Sequence, residues 1–528
     1  MGSTVRTKII NGQEYLYEIT YYYDPASKRT RQRSRYLGKS VDGEPVRVRD
    51  ANRVPRLTFA YGEYLPLLAI LDALRLETLL SEHLPGGKVQ ALLTLALNRV
   101  ISPLPLSQIE SWWEGTVLAH LYPDPSLSSN ALSTLLETIG SSDLPLHFCR
   151  SLVRSQGNGS ALLYDITSIS SWTNTIPLFE RGYNRDGLDL RQINLSLTVD
   201  RTRGIPLWYE VYPGSIVDVS TLGRTIATLT ESGVQDTALV MDRGFFSVAN
   251  LDALISSPYE FVLPPTTTMK TVKQTYAALH TTVDHPDNLH LYEGKTLFVQ
   301  ETELVIGDQS ISAFAYFSPS REQQERESFY RQLHERMERL REVKLRPWMN
   351  PAEVVESVAR SYEKYIAWTL EDGRFVVKTR PKAVAARVNR MGMMILLYRG
   401  DFTWESCLAL YREKDLVEKS FCVLKNEIEV MPLRQKSEET VRGVLFIAFL
   451  ALVVRMAFRK RVQDAGLQSR YPPDRLLLEL SKLRMVEMAN GSLMITEVTK
   501  KQREILEALG IDPQEVVARL DGRRRTAA

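Results

Sequence analysis

Four residues whose side chains can carry charge or donate protons lie at helical spacing in the C-terminal third of the chain. Tyr411, Lys414, Glu418 and Lys425 fall at i, i+3, i+7 and i+14. On one continuous helix these offsets stay within a sector of roughly 60°. Apolar residues line another face of the same helix: Val417, Phe421, Leu424 and Ile428. The spacing predicts a helix that packs on a core and presents a carboxylate among cations. A solvated amphipathic helix accounts for the same spacing.

Two aspartates lie in apolar segments predicted to be strands. Asp165 lies within ALLYDITS (161–168), and Asp242 ends ALVMD (238–242). A carboxylate in a buried strand is costly unless it is paired or binds a metal. Local alternatives exist, because Asp165 could cap a turn with Thr167 and Asp242 could pair with Arg243. Strand ends are where sites gather in open α/β sheets.

With Glu418 on a helix beside the sheet, the two aspartates form a set of three carboxylates. Like charges repel, so converging carboxylates need cations between them. Oxygen ligands without Cys or His favour Mg²⁺ or Mn²⁺. Two such ions about 3.5–4 Å apart activate a water or hydroxyl and stabilise the leaving oxygen of a phosphodiester.

The elements that must position these residues form an α/β unit split by an insertion. Residues 158–266 follow the order β-β-β-α-β-α-β, and the clean alternation of 192–200 marks its second strand. We predict six segments: 1–58, a basic β segment; 59–157, a helical domain suited to DNA binding; 158–266, the first part of the catalytic core; 267–376, an insertion domain; 377–465, the second part of the core with the Glu418 helix; and 466–528, a C-terminal region.

Composition excludes a disulfide-rich protein and a membrane-spanning one. The small net charge means that only local clusters of charge can indicate a nucleic-acid partner. The chain has 528 residues, a net charge of +3 and three scattered cysteines, which excludes a disulfide framework and fits a reducing compartment. The longest apolar run, 443–454, is shorter than the ~20 residues of a membrane helix and predicts a buried core helix. We therefore expect a soluble, cytoplasmic protein without a membrane partner.

Positive charge concentrates at the N-terminus. Residues 1–55 hold 11 Lys and Arg against 6 Asp and Glu. The cluster follows a strand-like segment and comprises Lys28, Arg29, Arg31, Arg33, Arg35 and Lys39. Phosphate binding is one interpretation. A solvated hairpin whose charges contact nothing is the other.

In combination, these features resemble DDE transposases with an RNase H-like catalytic core, a mixed five-stranded sheet with helices. Asp165 lies on the first strand, Asp242 after the fourth and Glu418 on a later helix. Tyr411, Lys414, Glu418 and Lys425 are similar to the Y-(2)-R-(3)-E-(6)-K signature of the insertion-sequence-four family, with lysine in the arginine position. The segments YDITS, GYNRDGLDLRQ (182–192) and MDRGF (241–245) also resemble that group.

The resemblance implies a bacterial or archaeal transposase that binds transposon ends and target DNA. Asp165, Asp242 and Glu418 would bind two Mg²⁺ ions, for which Mn²⁺ can substitute. The phosphate contacts would be Tyr411, Lys414, Lys425 and Arg243, although Arg243 could equally form a salt bridge. Relatives with this signature act as homodimers. Two alternatives remain: an RNase H-like nuclease that hydrolyses without joining strands, and a protein that binds transposon ends but no longer cuts.

Overall fold

The computed structural model describes residues 3–10, 13–24, 29–41, 43–46, 54–123, 125–156, 161–216, 220–235, 237–430, 433 and 435–527. Lys28 of the basic N-terminal cluster lies outside these residues. The chain divides into two compact units. One combines Met1–Phe148 with Glu439–Ala528, and the other is Cys149–Glu438.

The strands, in chain order, are β1 (Ser3–Ile10), β2 (Gln13–Asp24), β3 (Arg29–Val41), β4 (Glu44–Val46), β5 (Pro55–Ala60), β6 (Ala161–Ser171), β7 (Arg191–Asp200), β8 (Pro206–Pro213), β9 (Ala238–Met241), β10 (Glu260–Leu263), β11 (Leu289–Tyr292), β12 (Lys295–Ile306), β13 (Gln309–Phe317), β14 (Ile366–Glu371), β15 (Arg374–Thr379), β16 (Met393–Arg399), β17 (Arg484–Met488) and β18 (Leu493–Ile495).

The α-helices are α1 (Tyr64–Ala73), α2 (Leu76–Ser81), α3 (Gly86–Ile101), α4 (Ile109–Glu114), α5 (Leu118–Leu121), α6 (Ser129–Gly140), α7 (Leu144–Gln156), α8 (Leu222–Glu231), α9 (Val248–Ser256), α10 (Lys270–Leu279), α11 (Pro319–Glu342), α12 (Pro351–Ala359), α13 (Pro381–Val388), α14 (Trp404–Arg412), α15 (Asp415–Asn426), α16 (Glu438–Asp464), α17 (Pro473–Leu480), α18 (Lys500–Ala508) and α19 (Glu515–Ala527). Short 3₁₀ turns occur at Leu106–Gln108, Arg243–Phe245, Pro286–Asn288 and Arg360–Tyr365.

A nine-stranded mixed sheet forms the centre of the Cys149–Glu438 unit. Its order is β11-β12-β13-β16-β10-β9-β6-β7-β8. The strand β9 pairs in parallel with both β6 and β10, and the other pairings are antiparallel. Nearly every residue of β6 and β7 is buried, so both faces of these strands are covered, including the alternating polar residues Gln192, Asn194, Ser196 and Thr198 of β7.

This sheet is larger than the five strands expected from the sequence. The strands β11–β13 come from the segment 267–376, yet β13 pairs antiparallel with β16, from Ala313 opposite Leu397 to Phe317 opposite Met393. The reason is physical: β16 and β13 are both apolar, and their pairing satisfies backbone groups that would otherwise be buried without partners. The segment 289–317 therefore extends the central sheet.

The rest of the interrupting segment has its own small core. The helices α11 and α12 pack with the β14–β15 hairpin around a cluster of buried residues: Phe329, Leu333, Met337, Leu340, Val355, Ala359, Tyr365, Ile366, Phe375, Val377 and Met391. The helix α11 is long, rich in charged residues and ends before Pro347. The strand β15 pairs with β14 in a separate two-stranded sheet, whereas the predicted boundary at residue 377 falls within it.

The other unit is mainly helical. Its longest helix, α16, covers the apolar run of 443–454 and is buried along most of its length. Length and composition alone would let α16 cross a membrane, but 83% of its most apolar stretch is buried inside the protein. The same unit contains two sheets, β1-β2-β3-β4 and β18-β17-β5.

Two glycines allow α6 and α16 to cross at backbone contact. A Cβ placed on Gly443 would lie 2.1 Å from the carbonyl oxygen of Leu136, and one on Gly140 would lie 1.7 Å from that of Glu439. These obstacles are backbone atoms, so no side-chain rotation can remove the clash. The crossing therefore requires glycine at both positions.

We expect Gly443→Val to destabilise the protein by about 3 kcal/mol, because α6 and α16 must separate to admit the side chain. Thermal unfolding followed by circular dichroism measures the change. Gly86→Ala is the matched control, since a Cβ there meets nothing within 4 Å. Equal melting temperatures for the two variants would contradict the close crossing.

Candidate active site

Asp165 and Asp242 are brought together by the parallel pairing of β6 with β9. Tyr164 is the register partner of Met241. The next residues along the two strands are Asp165 and Asp242, so the carboxylates start at the same level on neighbouring strands. Asp165 continues in β6, whereas Asp242 follows β9 and precedes the 3₁₀ turn Arg243–Phe245. The two carboxylates are close enough that Asp242 acts to raise the pKa of Asp165.

The predicted continuous helix from Tyr411 to Lys425 is wrong, because the chain forms two helices there. The helix α14 ends at Arg412 and α15 begins at Asp415. Between them, backbone N–H groups bond to the third residue back, as from Lys414 to Tyr411 (3.3 Å) and from Val417 to Lys414 (2.9 Å). A turn of this kind has about three residues rather than 3.6, so it shifts the angular phase of everything before it.

The break is accompanied by an ion pair that spacing alone could not reveal. Glu413 bonds through its carboxylate to the guanidinium of Arg201, in the turn after β7. This contact anchors the junction of α14 and α15 to the sheet. Val417, Phe421 and Leu424 of the predicted apolar stripe are buried on α15, and Ile428, which follows the end of that helix, is buried as well.

Lys414 is the centre of the cluster. Its ammonium lies 3.3 Å from Oδ1 of Asp242 and 3.3 Å from Oε1 of Glu418. The hydroxyl of Tyr411 donates to the same Oδ1 of Asp242 at 3.2 Å. The alternative of a merely solvated helix face therefore does not describe Lys414 or Tyr411.

The two aspartates have opposite electrostatic environments. Burial raises the pKa of Asp165 to about 6, although the backbone N–H of Ile166 donates to its Oδ1 at 2.8 Å. Burial also acts to raise the pKa of Asp242, but Lys414, the backbone N–H of Arg243 and the Tyr411 hydroxyl outweigh it and hold that pKa below its usual value. Asp242 is thus stabilised as an anion, whereas Asp165 is disposed to take up a proton.

Tyr411 and Lys414 respond to the same charges. Burial, followed by the charge of Asp242, raises the pKa of Tyr411 to about 12, so its hydroxyl stays protonated and donates. Burial acts to lower the pKa of Lys414, but Tyr411, Asp242 and Glu418 together raise it. Lys414 therefore stays positively charged between two carboxylates.

Lys425 is not part of this cluster. Its ammonium contacts both carboxylate oxygens of Asp186, at 2.7 and 2.9 Å. The predicted 60° sector relied on a continuous helix, and the turn before α15 removes that geometry. Asp186 belongs to the GYNRDGLDLRQ segment, so Lys425 connects α15 to this loop instead.

The same loop supplies a residue that the search for chemistry missed. Arg185 lies near enough to the carboxyl of Asp165 for its positive charge to act against burial and partly lower the pKa of Asp165. The loop is held by Gln192, whose amide donates to the carbonyl of Tyr183 at 2.8 Å, and by close contact between Gly182 and Gly214. The sequence offered one signal for this loop: two amide residues, Gln192 and Asn194, alternate with the apolar residues of β7. Both are buried in the structure.

Two cavities adjoin the cluster. One, of about 650 Å³, contains Arg243 and is rich in cations from the surrounding helices: Arg321, Lys364, Arg387 and Arg390. The other, of about 680 Å³, is lined by Tyr411 and Lys414 together with residues of β12 and β13. Arg243 therefore faces a cationic cavity, which is compatible with an anionic ligand.

The donor set suits a hard divalent cation, although Lys414 occupies the space between two of the donors. Within the described part of the chain, no three Asp, Glu, His or Cys side chains lie close enough together to hold a metal ion. The oxygen-only ligands Asp165, Asp242 and Glu418 fit Mg²⁺ or Mn²⁺ by chemistry. Glu418 is held by the lysine ammonium, which supplies positive charge in that position.

A family model described as "Transposase DDE domain" matches residues 158–454, more than half of the chain. Among solved structures, one described as a cryo-EM structure of the piggyBac transposase synaptic complex with hairpin DNA is similar, with 11% identity and a TM-score of 0.37. That alignment covers 87% of this chain and 85% of the other. No curated protein matches the chain.

We expect Asp165→Asn to stabilise the metal-free protein near pH 7 but not near pH 4. The raised pKa means that the folded state loses stability as pH rises from about 4 to about 6, where the unfolded carboxyl ionises first. Asparagine removes this cost, on the order of 3 kcal/mol, and can still accept from Ile166.

Melting temperatures in EDTA at several pH values measure the effect. Asp252→Asn, at an exposed position of α9, controls for replacing a carboxylate elsewhere in the same unit. A stabilisation by Asp165→Asn that is the same at pH 4 and pH 7 would contradict the assignment of a raised pKa.

Proposed function

Because the chain belongs to the family of transposases with a DDE domain, we propose that it catalyses DNA cleavage and strand transfer with Asp165, Asp242 and Glu418 as its catalytic carboxylates. The observation that carries this proposal is the convergence of Asp242 and Glu418 on one ammonium, beside Asp165 on the neighbouring strand. Asp165 in the middle of β6, Asp242 just after β9 and Glu418 on α15 come from distant parts of the chain and approach one another, and bound metal ions would draw the three carboxylates closer. Such convergence is what phosphoryl transfer on DNA requires.

The three carboxylates would hold two Mg²⁺ ions, for which Mn²⁺ can substitute, and these ions would supply nucleophile activation and charge neutralisation at the phosphodiester. Lys414 must release Glu418 for all three carboxylates to serve as ligands. Its charge then becomes available to a phosphate oxygen, and the flexible side chain makes such a movement feasible. Tyr411 keeps Asp242 oriented throughout, since its hydroxyl remains a donor.

In the first reaction, water attacks the phosphorus at the transposon end and the 3′ oxygen leaves as a 3′-OH. In the second, this 3′-OH attacks a phosphorus of target DNA and displaces the 3′ oxygen of the target strand. Each step forms one P–O bond and breaks another, so the pair needs no external energy source. Arg243 is a proposed phosphate contact, supported by the cationic cavity it faces, and Lys425 would become one only when its ion pair with Asp186 opens.

The finer classification is also a proposal. Tyr411, Lys414, Glu418 and Lys425 follow the signature of the insertion-sequence-four family, with lysine replacing arginine. A transposase of this group would have an RNase H-like core and belong to a bacterial or archaeal insertion sequence, acting in the cytoplasm. It would recognise terminal inverted repeats and work as a homodimer. The parallel strands β6, β9 and β10, flanked by the antiparallel strands β7 and β16, are compatible with that core.

We expect Asp165→Asn, Asp242→Asn and Glu418→Gln each to reduce cleavage of end DNA by at least ~10³-fold and to leave end binding intact. The assay uses labelled end DNA, target DNA and Mg²⁺, and it separates binding, nicking and strand transfer. Asp252→Asn should cleave like the unmodified protein. Retained cleavage by Asp165→Asn would refute the assignment, whereas nicking without transfer by the unmodified protein would indicate a nuclease.

We expect Lys414→Gln to destabilise the metal-free protein by about 0.5–1 kcal/mol, because it removes the cation between two half-exposed carboxylates. Added Mg²⁺ or Mn²⁺ should restore the loss and should bind more tightly than in the unmodified protein. Melting temperature against metal concentration measures both effects. Lys414→Arg is the matched control that keeps the charge. If metal stabilises Lys414→Gln no more than it stabilises Lys414→Arg, Lys414 and the metal do not share these carboxylates.

A further inference from the structure

The N-terminal sheet β1–β4 exposes both of its faces. Every residue of β1 is exposed, and Leu16 is the only fully buried side chain among the described residues of the sheet. Large apolar and aromatic side chains are open to solvent, including Ile9 at 70% and Tyr23 at 60% exposure. A sheet with so little core gains little from burial, and a concentration of exposed apolar groups marks an interaction surface.

One face of this sheet combines tyrosines with cations. We call it the tyrosine face and define it by Tyr15, Tyr17, Tyr21, Tyr23 and Tyr36 with Arg6, Lys8 and Lys39. The strand register places these side chains on one side, because Tyr15 is opposite both Lys8 and Lys39, and Tyr17 is opposite both Arg6 and Tyr36.

The aromatic rings of the tyrosine face form a connected group. The ring of Tyr36 lies 5.3 Å from that of Tyr17 and 6.2 Å from that of Tyr15, between centroids. The ammonium of Lys8 lies 5.3 Å from the centroid of the Tyr17 ring. Among the described residues of the sheet, Glu44 at its edge is the only carboxylate that the register assigns to this face. Aromatic rings flanked by cations are therefore presented with little competing negative charge.

The opposite face, which we call the arginine face, has more cations but also contains carboxylates. Its arginines alternate along β3: Arg29, Arg31, Arg33 and Arg35. Acidic residues of β2 share that face, since Asp24 is opposite Arg29 and Glu18 is opposite Arg35. Arg31 forms an ion pair with Asp24 at 3.1 Å. Arg31 thus has a partner within the sheet, and Arg29 and Arg35 lie opposite carboxylates, whereas Arg33 lies opposite Thr20.

We propose that the tyrosine face binds single-stranded DNA by stacking unpaired bases on Tyr15, Tyr17 and Tyr36, with Arg6, Lys8 and Lys39 contacting phosphates. This inference rests on the proposed function for the identity of the ligand as DNA. Exposed aromatic rings on a sheet can reach base faces only where the bases are unpaired, and stacking on them tolerates any sequence. Strands freed when transposon ends are cut provide such bases.

The test compares the two faces of the same sheet in the full-length protein. Binding of fluorescently labelled oligothymidine and of a hairpin duplex is measured by anisotropy in EDTA, so that cleavage plays no part. The variants are Y15L/Y17L/Y36L on the tyrosine face and R29Q/R31Q/R33Q/R35Q on the arginine face. Y15F/Y17F/Y36F keeps the rings and controls for loss of the hydroxyls. Circular dichroism checks the folding of each variant, and Y36L alone replaces the triple variant if that one unfolds.

The leucine variant should bind oligothymidine roughly 100-fold more weakly, because each stacked base contributes ~1–3 kcal/mol. The phenylalanine variant should bind like the unmodified protein, and the glutamine variant should lose less than tenfold through its reduced charge. A larger loss in the glutamine variant, or oligothymidine binding that the leucine variant retains, would overturn the proposal. Failure of the unmodified protein to bind oligothymidine while it still cleaves end DNA would overturn this inference alone, whereas failure of cleavage would count against the proposed function.

Discussion

The arrangement of the site depends on repulsion between carboxylates that the fold forces together. Asp165 and Asp242 start at one level on parallel strands, and Glu418 approaches from α15. Lys414 relieves part of this repulsion, because its ammonium lies 3.3 Å from an oxygen of both Asp242 and Glu418. Asp165 is accommodated differently, because burial, with a smaller contribution from the charge of Asp242, raises its pKa. The two aspartates therefore carry their charge in two different ways.

The junction between α14 and α15 gives Lys414 its position. Tyr411 lies in the last turn of α14 and Glu418 in the first turn of α15, so the three-residue turn between the helices sets the relative directions of the two side chains. Glu413 fastens that turn to Arg201 beside the sheet. The loop containing Arg185 and Asp186 connects α15 to the site. Asp186 forms an ion pair with Lys425, and the charge of Arg185 acts to lower the pKa of Asp165. Local distortions and long-range ion pairs therefore determine which charges meet.

The two compact units differ in what stabilises them. The Cys149–Glu438 unit is organised by a nine-stranded sheet whose central strands are buried on both faces. In the other unit, α16 is buried among helices and crosses α6 at backbone contact through Gly140 and Gly443. The N-terminal sheet has neither kind of core, and its open tyrosine face is consistent with a surface whose role is binding.

The sequence alone indicated which residues have side chains suited to a reaction and which face of α15 packs on the core, because residue types and helical periodicity are local properties. It also predicted buried strands around Asp165 and Asp242, whose apolar character is equally local. Tertiary structure decided the rest. The pairing of β13 with β16, the helix break at Lys414 and the capture of Lys425 by Asp186 all depend on partners more than 60 residues away in the chain or on backbone hydrogen bonds that periodicity does not encode. Long-range contacts of this kind select among local geometries of similar energy, and no spacing rule anticipates which one is selected.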